Sequence, residues 1–191
     1  MNRFVSGFAS SHPETCLCRE HPWHPSMRVR DARDGYLAEN GFTVEAYDSP
    51  KSTGSIFGIK ISVPNPPPHR RAIRLHDLHH VATGFGTDHA GEGEIAAWQA
   101  RRGLVVAGMY VTAITALNGA IGFGAAPARV WSAWRAAGTG GSLFALDAEY
   151  EALLEMRVGA LRSLLGIPEQ GLAKTVRGLH AHAPVLQSAV G

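Results

Sequence analysis

The chain has 191 residues, 45% of them hydrophobic and 18% charged, which is the composition of a folded globular protein with one sizeable core. Its 18 basic and 16 acidic residues are spread along the sequence and leave a net charge of only +2, so we expect no nucleic-acid partner. The N-terminal residues lack the apolar core of a signal peptide, and Cys16 and Cys18 stand too close together for an ordinary structural disulfide. Both features predict a cytoplasmic protein.

Residues 1–25 are predicted to form a proline-rich arm, because Pro13, Pro22 and Pro25 prevent a long regular element there. The arm contains the spacing C-x-C-x-x-H-x-x-H, whose four side chains are candidate metal ligands: Cys16, Cys18, His21 and His24. This spacing is tighter than that of a zinc hairpin, so an arm packed along the domain is preferred to a second metal site. We expect one helical domain over residues 26–170 and a C-terminal tail over residues 171–191.

The domain is predicted to begin with a helix over residues 27–40, capped by Ser26 and stopped by Gly41. The period then changes: residues 42–47 and 59–63 alternate between apolar and polar side chains, which predicts a small β-hairpin with a long loop. The proline-rich run 64–68 ends the hairpin and leads into a second helix near His69.

This second helix carries metal-binding side chains on one face. At about 100° per residue, His76, Asp77 and His80 project from the same side, whereas His79 points away from Asp77. Residues 83–88 then break the helix, and Thr87 or Asp88 caps a returning helix. The first turn of that helix brings a fourth side chain back to the pair of histidines. We therefore predict a site for zinc or a similar divalent cation, with the ligands His76, Asp77, His80 and Glu92.

Glu92 is preferred to Glu94 as the fourth ligand, because Glu94 lies about 200° further round the same helix. Either Asp77 or Glu92 is also a candidate general acid or base, and the sequence does not separate the two roles.

Residues 104–126 contain no charged side chain. Their length suits a membrane span, but threonines, an asparagine and four glycines interrupt them, so we predict a helix that is buried or lines a lipid cavity. Pro127 starts another helix, whose Val130, Trp131 and Trp134 are assigned to core packing in preference to a membrane interface. Asp147 is predicted to cap one last amphipathic helix that stops before Gly166 and Pro168. The fold class is therefore mainly α, a single-domain helical bundle with a small β-hairpin before the metal-binding helix.

The motif His76-Asp77-x-x-His80, followed by eleven residues and Glu92, resembles the signature of the ubiquinone (coenzyme Q) biosynthesis protein 4 family. The resemblance is specific over residues 70–100, where it includes the segments 83–88 and 95–98, and it is looser over residues 153–167. It also takes in three smaller residues around the motif: Val81, Gly84 and Gly91. The chain departs from the family pattern in having His79 inside the motif and in residues 1–25, which have no counterpart.

The resemblance implies a mostly helical protein with a divalent metal, usually taken as zinc, held by His76, Asp77, His80 and Glu92. It also implies an apolar cavity for an isoprenoid tail, which residues 104–126 would supply. The implied activity is the organisation of other quinone-biosynthesis enzymes and removal of the ring carboxyl at C1 of a prenylated aromatic acid, with hydroxylation. The implied partners are that prenylated precursor or another isoprenoid lipid, the other enzymes, and the cytoplasmic face of the inner membrane; a homodimer stays open.

Two other functions stay open from the residues alone. The first is a non-catalytic scaffold that binds a prenyl lipid and uses its metal structurally, which a closed four-ligand site would favour. The second is a zincin-like hydrolase in which Asp77 replaces the usual glutamate base, although aspartate is one methylene shorter and reaches the metal water poorly.

Overall fold

The computed structural model describes residues 23–56 and 59–176, and it confirms a mainly helical fold with one small β-hairpin. The described helices are α1 (Val29–Glu39), α2 (Pro67–Thr83), α3 (His89–Arg101), α4 (Met109–Ala125), α5 (Pro127–Ala136), α6 (Tyr150–Glu155) and α7 (Val158–Leu164). Short 3₁₀ turns occupy Val44–Asp48, Leu104–Ala107 and Leu143–Ala145. Side chains from most of these elements share one apolar core. The predicted arm, except for its last three residues, lies outside the described residues, as do three of the four side chains of the alternative metal site: Cys16, Cys18 and His21.

The hairpin lies before α2, as predicted, but its first strand was predicted in the wrong place. Strands β1 (Lys51–Ile56) and β2 (Ile59–Pro64) pair antiparallel, with Ile56 opposite Ile59. Residues 42–47 instead lead into a 3₁₀ turn that buries Tyr47. The alternation of apolar and polar residues there was misleading, because it reflects the burial of the Tyr47 ring alone and not one face of a strand. Asn65 secures the hairpin by donating its amide to the carbonyls of Tyr47 and Ser49.

A backbone bridge joins the start of α1 to the start of α7. The Val29 N–H donates to Met156 O at 2.9 Å, and the Val158 N–H donates to Met27 O at 2.9 Å. This bridge makes α1 begin at Val29 without a side-chain cap from Ser26. It also holds Met156 in extended backbone and splits the last helix, which was predicted to be continuous, into α6 and α7. Glu149, and not Asp147, occupies the residue before α6.

Helix α3 lies in the interior, where it packs against α4 and α5. Most of its residues are buried on several sides, including Ile95, Trp98 and Gln99. Because α3 is buried on several sides, its sequence has little amphipathic pattern. Helix α5 begins at Pro127, as predicted, and buries Val130 and Ala133.

Residues 104–126 were predicted to form a helix that is buried or lines a lipid cavity; the buried alternative is wrong, and the lipid-cavity alternative stays a prediction. Only Val111, Thr115 and Gly122 of α4 are buried, where the helix covers α3. Its opposite side has no charge, and the exposed fractions there are 90% for Met109, 55% for Leu117 and 53% for Phe123. Trp131 of α5, assigned to the core from the sequence, is 57% exposed. Among the described residues, no helix is both long and apolar enough to cross a membrane.

The C-terminal end of the described chain packs against the end of α2. The fully buried Arg162 guanidinium donates to the carbonyls of Ala82 and Trp23, so three distant segments meet at one side chain. The Leu172 N–H donates to Thr83 O at 2.7 Å, and Val176 is fully buried. Packing against the core therefore continues to Val176, beyond residue 170.

Candidate metal centre

Helix α2 starts and stops where its sequence requires. Pro67 occupies the first turn, where its missing N–H has no intrahelical partner to lose. The helix ends at Gly84, whose φ of 79° lies in the left-handed region that glycine adopts without strain. This reversal turns the next carbonyl back to the helix, where Phe85 O accepts a hydrogen bond from His80 Nδ1 at 3.0 Å. Because a carbonyl only accepts, His80 is protonated at Nδ1 and its Nε2 lone pair faces the other way.

Helix α3 is started by Asp88, one of the two predicted caps, whose carboxylate accepts from the Gly91 N–H at 2.9 Å. Gly91 cannot carry a side chain here, because a Cβ would lie 2.2 Å from the carbonyl oxygen of Gly86. This close approach folds the turn tightly and places Glu92 in the first turn of α3. The short connection between α2 and α3 therefore returns Glu92 to the histidines, as predicted.

Three of the four predicted ligands meet in one group: His76, His80 and Glu92. The two Nε2 atoms of the histidines are 3.1 Å apart. The carboxylate of Glu92 reaches both rings, at 3.6 Å from His76 Nε2 and 3.4 Å from His80 Nε2. His80 is buried under the ring of Tyr36, with ring centroids 5.4 Å apart, whereas His76 and Glu92 are partly exposed. The group is therefore sheltered on one side and open on another.

The electrostatics of the group follow from its mixed composition. Burial disfavours a charged His76 ring, but the hydrogen bond to Glu92 and its negative charge outweigh burial, so the pKa of His76 is raised. Burial by itself would raise the pKa of Glu92, but His80 and His76 outweigh it, and that pKa lies well below its usual range. Glu92 is therefore an ionised carboxylate that faces two imidazoles.

Asp77, the fourth predicted ligand, lies beside this group but does not join it. Its Oδ2 accepts a hydrogen bond from the Tyr47 hydroxyl at 2.6 Å, and both side chains are buried. Burial raises the pKa of Asp77, and the neighbouring His76 and the Tyr47 hydrogen bond only partly oppose this rise. A carboxyl group with a raised pKa is suited to proton transfer, and its role as metal ligand stays a prediction.

Two residues next to the centre have contacts that sequence reasoning did not identify. Tyr47 belongs to the segment that was predicted as a strand, and no local spacing connects it to Asp77. Gln99 lies two turns along α3 from Glu92, on the same side, and its amide contacts both His76 and His79. The seven-residue spacing from Glu92 is the signal that would have placed Gln99 near the centre.

Glu94 lies on a different side of α3 from Glu92. The buried Glu94 carboxylate accepts two hydrogen bonds from the Arg129 guanidinium of α5, each at 2.8 Å. It therefore faces α5, away from the histidines, as the helical angle predicts.

Comparisons with known proteins add no name to this geometry. The chain matches no family model, no curated protein and no solved structure.

Proposed function

We propose that His76, His80 and Glu92 bind a divalent metal ion, with zinc as the preferred ion. One observation carries this proposal. Zinc–ligand bonds of about 2.0–2.1 Å at tetrahedral angles separate neighbouring ligand atoms by about 3.3 Å. The two Nε2 atoms are 3.1 Å apart, and Glu92 reaches them with different oxygens, Oε2 at 3.6 Å from His76 and Oε1 at 3.4 Å from His80. One ligand atom from each of the three residues lies within 4.8 Å of the other two, so the side chains converge closely enough to bind one ion.

The donor chemistry supports the same proposal. Two imidazole Nε2 atoms 3.1 Å apart repel each other unless a proton or a metal ion lies between their lone pairs. Because Phe85 O fixes the proton of His80 on Nδ1, the Nε2 atom of His80 is available as a ligand. Two imidazoles and one carboxylate form the set of three protein ligands that catalytic zinc sites use.

We further propose that the centre acts on a prenylated aromatic acid by replacing the ring carboxyl at C1 with a hydroxyl. The bond from C1 to the carboxyl group breaks and CO₂ leaves, a C1–O bond forms with oxygen from water, and O₂ takes up the two electrons and is reduced to H₂O₂. This substrate comes from the resemblance of the motif to the ubiquinone biosynthesis protein 4 family. When bound, the metal would supply a Lewis acid that polarises an oxygen of the ring substituents. Asp77, buried and oriented by Tyr47, would exchange a proton with the substrate, while Glu92 would hold the metal.

The uncharged side of α4 supports a lipid partner. Met109, Leu117 and Phe123 of α4 and Trp131 of α5 are large apolar side chains that are more than half exposed, and such surface can mark a lipid or membrane contact. Together they would contact the prenyl tail or the membrane from which it comes, with about 0.8 kcal/mol for each methylene removed from water. The exposed Arg101 and Arg135 side chains would favour an anionic membrane surface.

The alternatives receive less support. A purely structural metal is favoured by four protein ligands, whereas the group of three leaves the fourth position to substrate, water or Asp77. A zincin-like hydrolase would need Asp77 as the base in place of the usual glutamate, and aspartate is one methylene shorter, so it reaches a metal-bound water poorly.

The proposal is tested with the full chain, by native mass spectrometry and by CO₂ release from a prenylated hydroxybenzoic acid in air. We expect one equivalent of zinc in the wild type, none in His80→Ala, and CO₂ release only from the zinc-loaded wild type. His89→Ala, in the first turn of α3, is the matched control and should keep its zinc. A full equivalent of zinc in His80→Ala would refute the metal site. Zinc binding without CO₂ release or bound prenyl lipid would refute the substrate.

A further inference from the structure

A buried chain of hydrogen bonds begins at the 3₁₀ turn Leu143–Ala145, passes through His79 of α2 and Gln99 of α3, and ends at His76. The Leu143 N–H donates to His79 Nε2 at 3.0 Å. The Gln99 amide then contacts His79 Nδ1 at 2.9 Å and His76 Nδ1 at 3.0 Å, both measured from its Nε2 atom. His79 and Gln99 are both fully buried, so neither has water as an alternative partner.

The positions of the protons along these hydrogen bonds follow from the Leu143 N–H, whose role as a donor is fixed. A backbone N–H can only donate, so His79 Nε2 is an acceptor and carries no proton. The single proton of the ring is therefore on Nδ1, which donates. The Gln99 atom that faces this Nδ1 must therefore accept, so it is the amide oxygen and not the amide nitrogen. This assignment turns the Gln99 amide by 180°, which exchanges the positions of its oxygen and nitrogen.

The turned amide also determines the state of His76. Its oxygen has two lone pairs and now lies 2.9 and 3.0 Å from the Nδ1 atoms of His79 and His76, whereas the amide nitrogen takes the position 3.3 Å from His76 Nδ1. Because the contact to the oxygen is the shorter one, the oxygen accepts from both rings. A proton on His76 Nδ1 leaves the Nε2 lone pair for the side of His80 and Glu92. Phe85 O does the same for His80, so both rings present Nε2 to the same point.

We propose that Gln99, oriented by His79, is the positioning residue that selects the Nδ1-protonated form of His76 and aims its Nε2 at the metal. His79 thereby has a function although it touches neither the metal position nor Glu92: its ring transmits the direction of the Leu143 N–H to the Gln99 amide. The effect on metal binding rests on the proposed function, whereas the tautomer of His79 does not depend on a bound metal.

The test compares zinc affinities of two Gln99 variants, measured by competition with a chelator. Gln99→Leu removes the acceptor and should weaken zinc binding by about 10–100-fold. Gln99→Glu keeps an acceptor for both N–H groups and should bind zinc within about threefold of the wild type or more tightly. Gln170→Leu, an exposed position, is the matched control and should change nothing. Equal affinity of Gln99→Leu and wild type, or a large loss in Gln99→Glu, would overturn the inference.

A second measurement does not depend on the metal or on the folding of a variant. In wild-type protein with ¹⁵N-labelled histidine, long-range ¹H–¹⁵N spectra should show His79 neutral and protonated at Nδ1, with and without zinc. In the zinc-loaded form, His76 should also be protonated at Nδ1. A proton on Nε2 of His79 would overturn the inference, whereas failure of the wild type to bind zinc would overturn the proposed function and leave the His79 result standing.

Discussion

The two sides of α3 hold two carboxylates in opposite electrostatic settings. Glu94 faces α5 and forms two hydrogen bonds with the Arg129 guanidinium, which is always charged. Glu92, two residues earlier, faces α2 and finds two histidines, whose charge depends on bound protons. The same residue type on the same helix thus has a permanent counter-ion on one side and titratable partners on the other.

This difference shows which carboxylate is structural. The Glu94–Arg129 pair is complete within the protein, because one anion meets one cation with good geometry. Glu92 and its two imidazoles are complete only when a proton or a metal ion adds positive charge. A carboxylate whose partners carry no fixed charge is where an ion from outside the chain is needed.

The largest expected effect separates the two carboxylates by their zinc affinity. Glu92→Gln should weaken zinc binding by more than about 100-fold, because it removes the only anionic ligand of the group. Glu94→Gln has the same change in shape and charge and should leave zinc affinity within about twofold. Isothermal titration of both variants measures the contrast. Equal losses in the two variants would show that zinc binding depends on the general charge of α3.

The second effect concerns stability, where we expect the larger loss from the Glu94 variant and the smaller one from the Glu92 variant. Glu94→Gln should lower the free energy of unfolding by about 2 kcal/mol, because it leaves the Arg129 charge without its buried partner. In the metal-free protein, Glu92→Gln should cost less, since its partners can release their protons. Urea unfolding at neutral pH measures both. Glu151→Gln removes an exposed pair with Arg30 and serves as the surface control, expected within about 1 kcal/mol.

The third effect is the pH dependence of zinc binding. Zinc and a proton compete for Nε2 of His76, and the pKa of His76 is raised, so competition begins at a higher pH than for an ordinary histidine. As pH falls below that pKa, zinc affinity should decrease about tenfold per pH unit for each proton displaced. Affinity measured between pH 8 and pH 5.5 tests this. A zinc affinity that does not change over this pH range would contradict the competition.

The sequence was most informative where the structure depends on neighbours along the chain. The turn between α2 and α3 was predictable because Gly84 ends one helix, Asp88 caps the next, and helical angles place Glu92 on the correct side. Pro127 identified the start of α5 for the same reason. These signals are local, so they do not depend on knowing the rest of the fold.

Most of the errors involve partners that are distant in sequence. The break between α6 and α7 depends on the backbone of residues 27–29, and the burial of Tyr47 depends on Asp77. The first strand of the hairpin was predicted in the wrong place because β1 contains serine, threonine and glycine. These residues are common in loops, so β1 is not recognised as a strand when its pairing is unknown. The contacts of Gln99 and the exposure of α4 likewise appear only when the helices are assembled.

The backbone bridge between α1 and α7 also has a consequence for how the protein folds. The ligands of the centre lie within residues 76–92, so the chain closes only a short loop to bring them together. The bridge instead joins residues 28 and 157, and α1 cannot acquire this partner until most of the chain has been synthesised. During synthesis, the turn that carries the proposed metal ligands is therefore able to form early, whereas closure of the domain waits for the contact between residues 28 and 157.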